Sequence, residues 1–393
     1  MCFKNYFQII IGASVLLFNC SEKKIKSITL TNTLNSERSF ETVELSKELL
    51  LIDDLSTIGI QDTETKEILV TQTLDYDNNG IVDAILFQPK LEKNSKKTFL
   101  ILSVNDSLKP KKDILCYSRF VPERTDDYAW ENDKVAFRTF GPRAQEMKEN
   151  NIPGGTLSSG IDLWLKKVEY SIIDKWYHKN LKEKGYYHKN HGEGYDPYHV
   201  GISRGTGGIG IWKADSLLTS KNFISYKTIA IGPLRTVFEL EYAPWSEYGI
   251  SETKRISLDL GSNFTKFEIN LSSVKEVPNY AIGITLHDGE GDIIINKQNG
   301  LFGHWENIDN SYLGEGIIVD PKLVLEAFDY RTTVLDQSQL LILTKPFQKR
   351  SLIYYVGFGW SKRESIHNKN DWIKMLKEKV KRTNNPIKVD INW

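Results

Sequence analysis

Three consecutive segments in the C-terminal half of the chain alternate strictly between apolar and polar side chains. Their apolar members are Phe238, Leu240 and Tyr242, then Ile256, Leu258 and Leu260, then Phe267, Ile269 and Leu271. Successive side chains of a β-strand point to opposite faces, so this period of two predicts strands with one buried face. The short Gly-Ser-Asn sequence at 261–263 is typical of a hairpin turn between the last two segments. The pattern predicts antiparallel strands of a large β-sandwich.

Shorter segments of the same kind occupy the region before residue 112. They lie at 28–31, 42–45, 68–71 and 84–87 and are separated by Asn, Asp and Pro. Such spacing predicts a smaller N-terminal β domain, with a boundary near 108–113. The predicted fold class is therefore mainly β: an antiparallel sandwich over residues 113–393, preceded by a β domain over residues 25–112.

One amphipathic helix is predicted near the C-terminus. Its apolar face comprises Trp372, Ile373, Leu376 and Val380. Asn370 or Asp371 is the expected N-terminal cap, and the Asn-Asn-Pro sequence at 384–386 should end the helix.

The first twenty residues have the pattern of a targeting segment. Lys4 precedes an apolar run at 9–18, which is too short to span a bilayer but suits a signal peptide. Cys20 follows this run and precedes a polar segment, an arrangement that resembles a bacterial lipobox. We expect a lipoprotein-type signal peptide over residues 1–20, a lipid anchor at Cys20, and an exported lipoprotein of the outer membrane or periplasm. Ordinary secretion is the alternative.

Charge and cysteine content exclude several classes of protein. The 51 basic and 51 acidic residues cancel, so no overall field attracts nucleic acid or an anionic membrane. A membrane would be contacted only through the lipid anchor. Cys116 is the one cysteine beyond the lipobox, which excludes a disulfide framework and zinc sites built on cysteine pairs. An acidic ligand would have to be bound by local charges.

A segment of the N-terminal domain copies the first part of a calcium-binding loop. The oxygen-bearing residues at its positions 1, 3, 5 and 9 are Asp75, Asp77, Asn79 and Asp83. Its twelfth position is Leu86 instead of an acidic residue, and strand follows instead of helix. A hairpin turn is the preferred interpretation, with a calcium site second.

The segment 119–142 mixes charged and aromatic residues. Arg124, Tyr128 and Trp130 are its candidates for binding a sugar, because aromatic rings stack on pyranose faces and arginine binds carboxylate or sulfate with two hydrogen bonds. A salt-bridge network at a domain junction is an equally good interpretation.

The segment 186–212 contains three of the seven histidines among tyrosines and eight nearby glycines. So many glycines indicate a bent loop, and its titratable side chains favour contact with a ligand over an ordinary surface loop. A metal site formed by His188, His191 and Glu193 is a weaker hypothesis, since their spacing is not diagnostic. We expect no cofactor.

Several longer segments of the chain resemble the motifs of a known family. They are the segments 119–142, 159–177 and 187–208, followed by YLGEGIIVDP at 312–321 and YYVGFGWSK at 354–362. Together they resemble a bacterial family of domains of unknown function that includes an ulvan oligosaccharide dehydratase. The later strands also resemble the galactose-mutarotase-like supersandwich of several polysaccharide lyases and sugar epimerases.

This resemblance implies elimination of water from a non-reducing-end glucuronic or iduronic acid, which leaves a 4,5-unsaturated ring. The reaction needs a cation on the carboxylate, a base for the C5 proton and an acid for the departing 4-hydroxyl. We assign the carboxylate first to Arg204 and second to Arg124, and the proton transfers to residues of the 186–212 loop. The candidate catalytic residues are His188, His191, Tyr187 and Tyr198; Tyr128, Trp130, Glu193 and His199 are assigned to substrate binding.

Two other classes of protein are also consistent with the sequence. A glycan-binding lipoprotein would use the same arginines and aromatic residues without a base. A glycoside hydrolase or polysaccharide lyase acting on acidic polysaccharide is the other alternative. A hydrolase needs two facing carboxyl groups, for which Asp126, Glu131, Glu193 and Asp196 are available.

Overall fold

The computed structural model describes residues 26–198, 200–287, 289–346 and 351–392. The expected signal peptide, Cys20 and His199 lie outside these residues. In the N-terminal region, strands β1 to β6 are Lys26–Thr31, Val43–Ser46, Ile58–Asp62, Thr71–Leu74, Ala84–Phe87 and Lys96–Ser103, and helix α1 is Lys47–Leu50.

The rest of the chain is also mainly strand. Strands β7 to β13 are Tyr117–Val121, Asp127–Glu131, Ala136–Thr139, Asp162–Lys166, Gly194–Tyr195, Thr206–Lys213 and Ser216–Leu218. Strands β14 to β19 are Phe223–Ala230, Arg235–Trp245, Ile250–Asp259, Phe264–Ser272, Tyr280–Thr285 and Asp292–Asn296. Strands β20 to β25 are Leu301–Ile308, Ser311–Val319, Val324–Tyr330, Gln339–Thr344, Ser351–Trp360 and Lys388–Asn392. Helices α2, α3 and α4 are Pro142–Glu149, Ile173–Lys182 and Lys369–Asn384.

Three sheets enclose the main hydrophobic core. An eight-stranded sheet has the order β14-β15-β16-β17-β24-β21-β20-β19, and its inner face packs against two five-stranded sheets, β13-β12-β18-β23-β22 and β11-β10-β9-β8-β7. All the pairings between their strands are antiparallel. The predicted mainly β, antiparallel sandwich is confirmed, and the three alternating segments form β15, β16 and β17.

Two helices cover outer faces of these sheets. Helix α3 packs Ile173, Trp176 and Tyr177 against the outer face of the β7–β11 sheet. Helix α4 buries Trp372, Leu376 and Val380 against the eight-stranded sheet, as predicted. Its N-terminal cap is Asn368, whose side chain accepts from the Asp371 N–H, instead of the expected Asn370 or Asp371. No helix within the described residues is both long and apolar enough to cross a bilayer.

The N-terminal lobe comprises residues 26–103 together with β25. Its two sheets have the orders β25-β1-β6-β3 and β2-β5-β4, and they enclose a separate core. The last strand of the described chain thus pairs with the first, in the register of Thr29 with Asp390. The domain boundary near 108–113 stays a prediction.

Candidate functional site

The loop between α3 and β12, which contains the histidine-rich segment, lies tightly against strand β10. Gly194 has a φ of 120°, and a Cβ there would lie 1.8 Å from the carbonyl oxygen of Leu165. Gly205 has a φ of 54°, and its Cβ would lie 1.9 Å from the carbonyl oxygen of Ile161. Only glycine tolerates both the positive φ and the close approach. These two glycines therefore fix the path of the loop across the sheet.

A buried guanidinium binds three carboxylates beneath this loop. Arg138 Nη2 lies 2.5 Å from Asp162 Oδ2 and 2.8 Å from Asp196 Oδ2, and Arg138 Nη1 lies 3.5 Å from Asp127 Oδ2. The strand register explains part of this arrangement, because Arg138 on β9 is paired directly with Asp162 on β10.

Burial raises the pKa of two of these carboxylates, those of Asp127 and Asp196. Burial raises the pKa of Asp127 to about 6, against the attraction of Arg138 and Arg124. Burial, and then the neighbouring Asp162 carboxylate, also raises the pKa of Asp196 well above its usual 3.8. The cluster therefore retains a proton more readily than exposed carboxylates would.

His188 connects this buried cluster to solvent. Its side chain is 47% exposed, whereas that of Asp196 is fully buried. The Nδ1 atom lies 3.1 Å from the main-chain oxygen of Asp196 and 3.3 Å from its Oδ2. Because both neighbours are oxygen atoms, we assign the ring proton to Nδ1, which leaves Nε2 with a lone pair. Burial lowers the pKa of His188 below its usual 6.5, so the imidazole is neutral at pH 7.

Two arginines converge on the hydroxyl of Tyr187. Arg124 Nε donates to this oxygen at 2.9 Å, and Arg138 Nη1 donates at 3.3 Å. The Tyr187 ring is buried and stacks on Trp164, with 5.0 Å between ring centroids. Arg124 is half-buried, and its Nη1 donates to Thr125 Oγ1 at 2.6 Å. Three of the predicted site residues therefore lie together: Arg124, Tyr187 and His188.

A second polar group adjoins the first. The Tyr198 ring stacks on His287 at 4.0 Å and 5°, and its hydroxyl donates to Glu306. His304 and Glu315 are paired in register across β20 and β21, with 3.0 Å between Nδ1 and Oε2. Burial lowers the pKa of His287, and the carboxylates of both Glu315 and Asp162 act on it in the opposite direction. His287 therefore interacts with carboxylates of both groups, and we treat the two groups as one polar strip.

Sequence reasoning missed His287, His304, Glu306 and Glu315. A signal for two of them was present, because His304 and Glu306 alternate with apolar residues and so share one face of a strand. Their partner Glu315 lies inside one of the family-like motifs, YLGEGIIVDP.

The structure places Arg204 away from any accessible surface, which corrects the first choice of carboxylate ligand. Arg204 is 1% exposed, and its Nη1 donates to Ser159 Oγ at 2.9 Å and to the Ile209 carbonyl at 3.2 Å. Burial lowers its pKa to about 10. A substrate could reach it only if this packing opened. Arg124 is the better placed arginine.

Tyr128 and Trp130 are core residues instead of sugar-stacking surfaces. Both are fully buried in the main core, where Trp130 stacks on Phe137 at 5.3 Å and Tyr128 stacks on Phe238 at 4.2 Å. Strand β8 is covered on both faces, by the core on one side and by α3 on the other.

The structure separates the three residues of the hypothetical metal site in the loop. The Glu193 carboxylate accepts from Lys175, Tyr170 and Trp176, which anchors the loop to α3. His191 is exposed and stacks on Tyr186 at 4.0 Å. His188 instead contacts Asp196, so the three side chains have different partners.

Two of the carboxyl groups proposed for a hydrolase have structural partners. Glu131 is fully buried, binds the Lys166 ammonium at 2.6 Å, and accepts from the Ile172 and Ile173 amides. Asp126 accepts from the Arg143 amide at the start of α2. Both carboxyl groups are thus held by partners within the fold.

The calcium-like segment forms the connection between β4 and β5, the turn expected from the sequence. Asp75 accepts from the amides of Asn79 and Gly80, and the Lys47 ammonium lies 2.8 Å from Asp83 Oδ1. Carboxylate oxygens of Asp75, Asp77 and Asp83 also lie within 4.8 Å of one another.

A cleft of about 1120 Å³ lies on the other side of the eight-stranded sheet, between α4 and the N-terminal lobe. Its charged side chains largely pair with one another, as in Arg235 with Asp259 and Arg382 with Glu378. The polar strip around His188 combines a half-exposed imidazole with buried carboxyl groups whose pKa values are raised. We therefore take this strip as the candidate site.

Comparison with known proteins gives one family and two solved structures of similar fold. A family model described as "Domain of unknown function (DUF4861)" matches residues 30–389. A protein of Formosa agariphila, described as "Uncharacterized protein P7", is 46% identical over 389 residues, which cover 97% of this chain and 98% of that protein.

Two solved structures from Enterococcus faecalis are similar in fold. One is described as a protein in the glycosyl hydrolase family 38 and the other as an alpha-mannosidase; both have a TM-score of 0.50, at 9% and 8% identity. Each alignment covers 94% of this chain but 48% and 46% of the other chains, so the present chain spans about half of their length. At these identities the likeness concerns the fold alone.

Proposed function

We propose that this chain, which belongs to the DUF4861 family, is an oligosaccharide dehydratase. Its substrate would be an ulvan-type oligosaccharide with glucuronic or iduronic acid at the non-reducing end. The reaction removes the C5 proton and the 4-hydroxyl as water and forms the C4–C5 double bond.

The observation that carries the proposal is the pairing of His188 with Asp196. A half-exposed neutral imidazole, oriented through Nδ1 by a buried residue, presents Nε2 as a base to an incoming ligand. In this role Nε2 takes the C5 proton, and the electron pair of the broken C–H bond becomes the new C=C bond. The lowered pKa of His188 keeps the base unprotonated at neutral pH.

Arg124 and Tyr187 supply the two other groups that the elimination needs. The Arg124 guanidinium would bind the uronate carboxylate and stabilise the negative charge that develops next to it when C5 loses its proton. A phenol hydroxyl can protonate the departing 4-hydroxyl, so that water leaves. Tyr187, which adjoins both Arg124 and His188, is our first choice for this acid, and Tyr198 is the second.

The fold supports a sugar as substrate. The two similar structures are described as a glycosyl hydrolase family 38 protein and an alpha-mannosidase. The balanced overall charge is consistent with a substrate bound through local cations such as Arg124.

The test is direct. The purified protein is incubated with uronic-acid-terminated ulvan oligosaccharides, and the ultraviolet absorbance of a conjugated enol carboxylate is followed together with product mass. If the proposal is right, the absorbance rises and the product is lighter than the substrate by one water molecule. Binding without any product would instead support a glycan-binding protein, and a shortened oligosaccharide without the absorbance would support a hydrolase.

We also propose that the protein is an exported lipoprotein anchored through Cys20. The support is the short apolar run that leads to this cysteine. Expression of the full chain in a Gram-negative host should give a membrane-bound form, and Cys20→Ser should release it. A wild-type protein that is entirely free of the membrane, with an N-terminus beyond residue 20, would contradict the anchor.

A further inference from the structure

His304, Glu306 and Glu315 form a compact group of ligand atoms inside the sandwich. Each offers an imidazole nitrogen or a carboxylate oxygen, and these atoms all lie within 4.8 Å of one another. His304 and Glu306 are two residues apart on β20, so they share a face, and Glu315 faces His304 from β21. The three side chains are 0%, 7% and 1% exposed. The two strands thus fix three donors on a rigid part of the fold.

The orientation of His304 is that of a metal-binding histidine. Its Nε2 lies 3.0 Å from the main-chain oxygen of Glu290, which can only accept a hydrogen bond. Gly291 permits this approach, because a Cβ there would lie 2.3 Å from Nε2. A neutral ring with its proton on Nε2 would direct the lone pair of Nδ1 towards Glu315. A histidine that binds a metal through one nitrogen usually donates from the other in this way.

The contact between the His304 ring and the Glu315 carboxylate is stable only with a positive charge between the two groups. Nδ1 and Oε2 lie 3.0 Å apart, and an imidazole lone pair and a carboxylate oxygen repel each other unless a proton or a cation lies between them. Two ligand atoms bound to one ion at about 2.1 Å are themselves about 3 to 4 Å apart. The observed separation is that of two ligand atoms sharing one ion, and the Glu306 ligand atom lies within 4.8 Å of both.

Neighbouring hydroxyls hold the two carboxylates. Thr206 donates to Glu315 and Tyr198 donates to Glu306. Hydrogen bonds of this kind orient carboxylate ligands around a metal. A divalent ion would also neutralise two carboxylates that the fold keeps out of water.

We propose that His304, Glu306 and Glu315 bind one first-row divalent metal ion, of the Zn²⁺ or Mn²⁺ type. A mixed set of one imidazole and two carboxylates suits these ions, whereas Ca²⁺ and Mg²⁺ prefer oxygen ligands alone. The proposal rests on geometry and does not depend on the reaction proposed above. It replaces our expectation from the sequence that no cofactor is bound.

The experiment measures metal binding without measuring turnover. The purified protein is stripped with a chelator, then titrated calorimetrically with ZnCl₂ and with MnCl₂; CaCl₂ and MgCl₂ are the comparison ions. We expect saturation at one Zn²⁺ or Mn²⁺ per chain. Glu306→Gln keeps the shape of the side chain but removes its charge, and it should weaken this binding roughly 10-fold or more.

The matched control is Asp75→Asn. Asp75 belongs to the acidic group at the β4–β5 connection, the second set of possible metal ligands found among the described residues. This variant should bind Zn²⁺ or Mn²⁺ like the wild type. Absence of saturable binding by the wild type would overturn the proposal, as would a loss of binding in Asp75→Asn together with unchanged binding in Glu306→Gln.

If Glu306→Gln fails to fold, X-ray absorption at the zinc edge of the wild-type protein identifies the ligand atoms around the bound ion. One imidazole nitrogen among oxygen ligands supports the site at His304. A shell of oxygen atoms alone overturns it.

Discussion

Asp196 contacts one ring nitrogen of His188 with two of its own oxygen atoms, the main-chain oxygen at 3.1 Å and Oδ2 at 3.3 Å. The same Oδ2 accepts from Arg138 Nη2 at 2.8 Å. A single buried carboxylate oxygen therefore links the exposed imidazole to the guanidinium on β9. The orientation of His188 depends on the interior of the sheet and not on the loop alone.

The first prediction compares the two neighbouring histidines of the loop. His188→Ala should lower the rate of unsaturated-product formation roughly 100-fold or more, with little change in substrate binding, because it removes the proposed base. His191→Ala should keep nearly the wild-type rate, since this ring stacks on Tyr186 at the surface. Steady-state rates and a separate binding titration check both. Equal losses in the two variants would contradict the assignment of the base.

The second prediction concerns pH. His188 acts as a base only when neutral, and burial lowers its pKa, so kcat/KM should fall with decreasing pH through a value below 6.5. Asp127, with a pKa of about 6, titrates in the same range and serves as the control. The acidic limb should persist in Asp127→Asn. Its disappearance in that variant, or a wild-type limb above pH 7, would show that another group controls the rate.

The third prediction separates the two candidate arginines. Arg124→Lys keeps the charge but loses the planar fork, and it should weaken substrate binding about 10- to 100-fold and also lower the rate. Arg204→Met should leave the rate per folded molecule within about threefold of the wild type, because Arg204 is buried among backbone and serine oxygens. Calorimetric binding and initial rates, corrected for the folded fraction, test this. The reverse order of effects would return the role to Arg204.

The fourth prediction addresses stability. Lys166→Met leaves the Glu131 carboxylate buried without its ammonium partner, and it should lower the free energy of unfolding by about 3 to 5 kcal/mol. The control is Lys213→Met, since Lys213 forms an ion pair of the same 2.6 Å length with Glu247 at the exposed surface and should contribute nothing measurable. Urea unfolding of both variants provides the comparison. Adding Glu131→Gln to Lys166→Met should recover part of the loss.

Local pattern was sufficient to predict much of the fold. The alternation around Phe238, Ile256 and Phe267 identified β15 to β17, because a sheet with one buried face leaves a period of two in the sequence. The apolar face around Trp372 identified α4. The pairing of β25 with β1 was not predictable in this way, since local periodicity carries no information about a partner more than 350 residues away.

The candidate site was predictable only where one segment supplies several of its groups. His188 and Tyr187 belong to one loop, and a loop rich in glycine and titratable residues is a recognisable signal. The burial of Trp130 and Arg204 was not predictable, because an aromatic ring or a guanidinium has the same appearance in a sequence whether it lines a pocket or fills a core. His304 and Glu315 depend on the register of two strands, which only the folded sheet reveals.

Strand β25 follows every other described strand in the chain, so the ribosome synthesises it after them. The sheet β25-β1-β6-β3 cannot be complete until then, although its other members are made early. A nascent chain would therefore present β1 with an unpaired edge throughout the synthesis of the sandwich, and an open edge can pair with a second chain. Loss of residues 388–392 would make that exposure permanent.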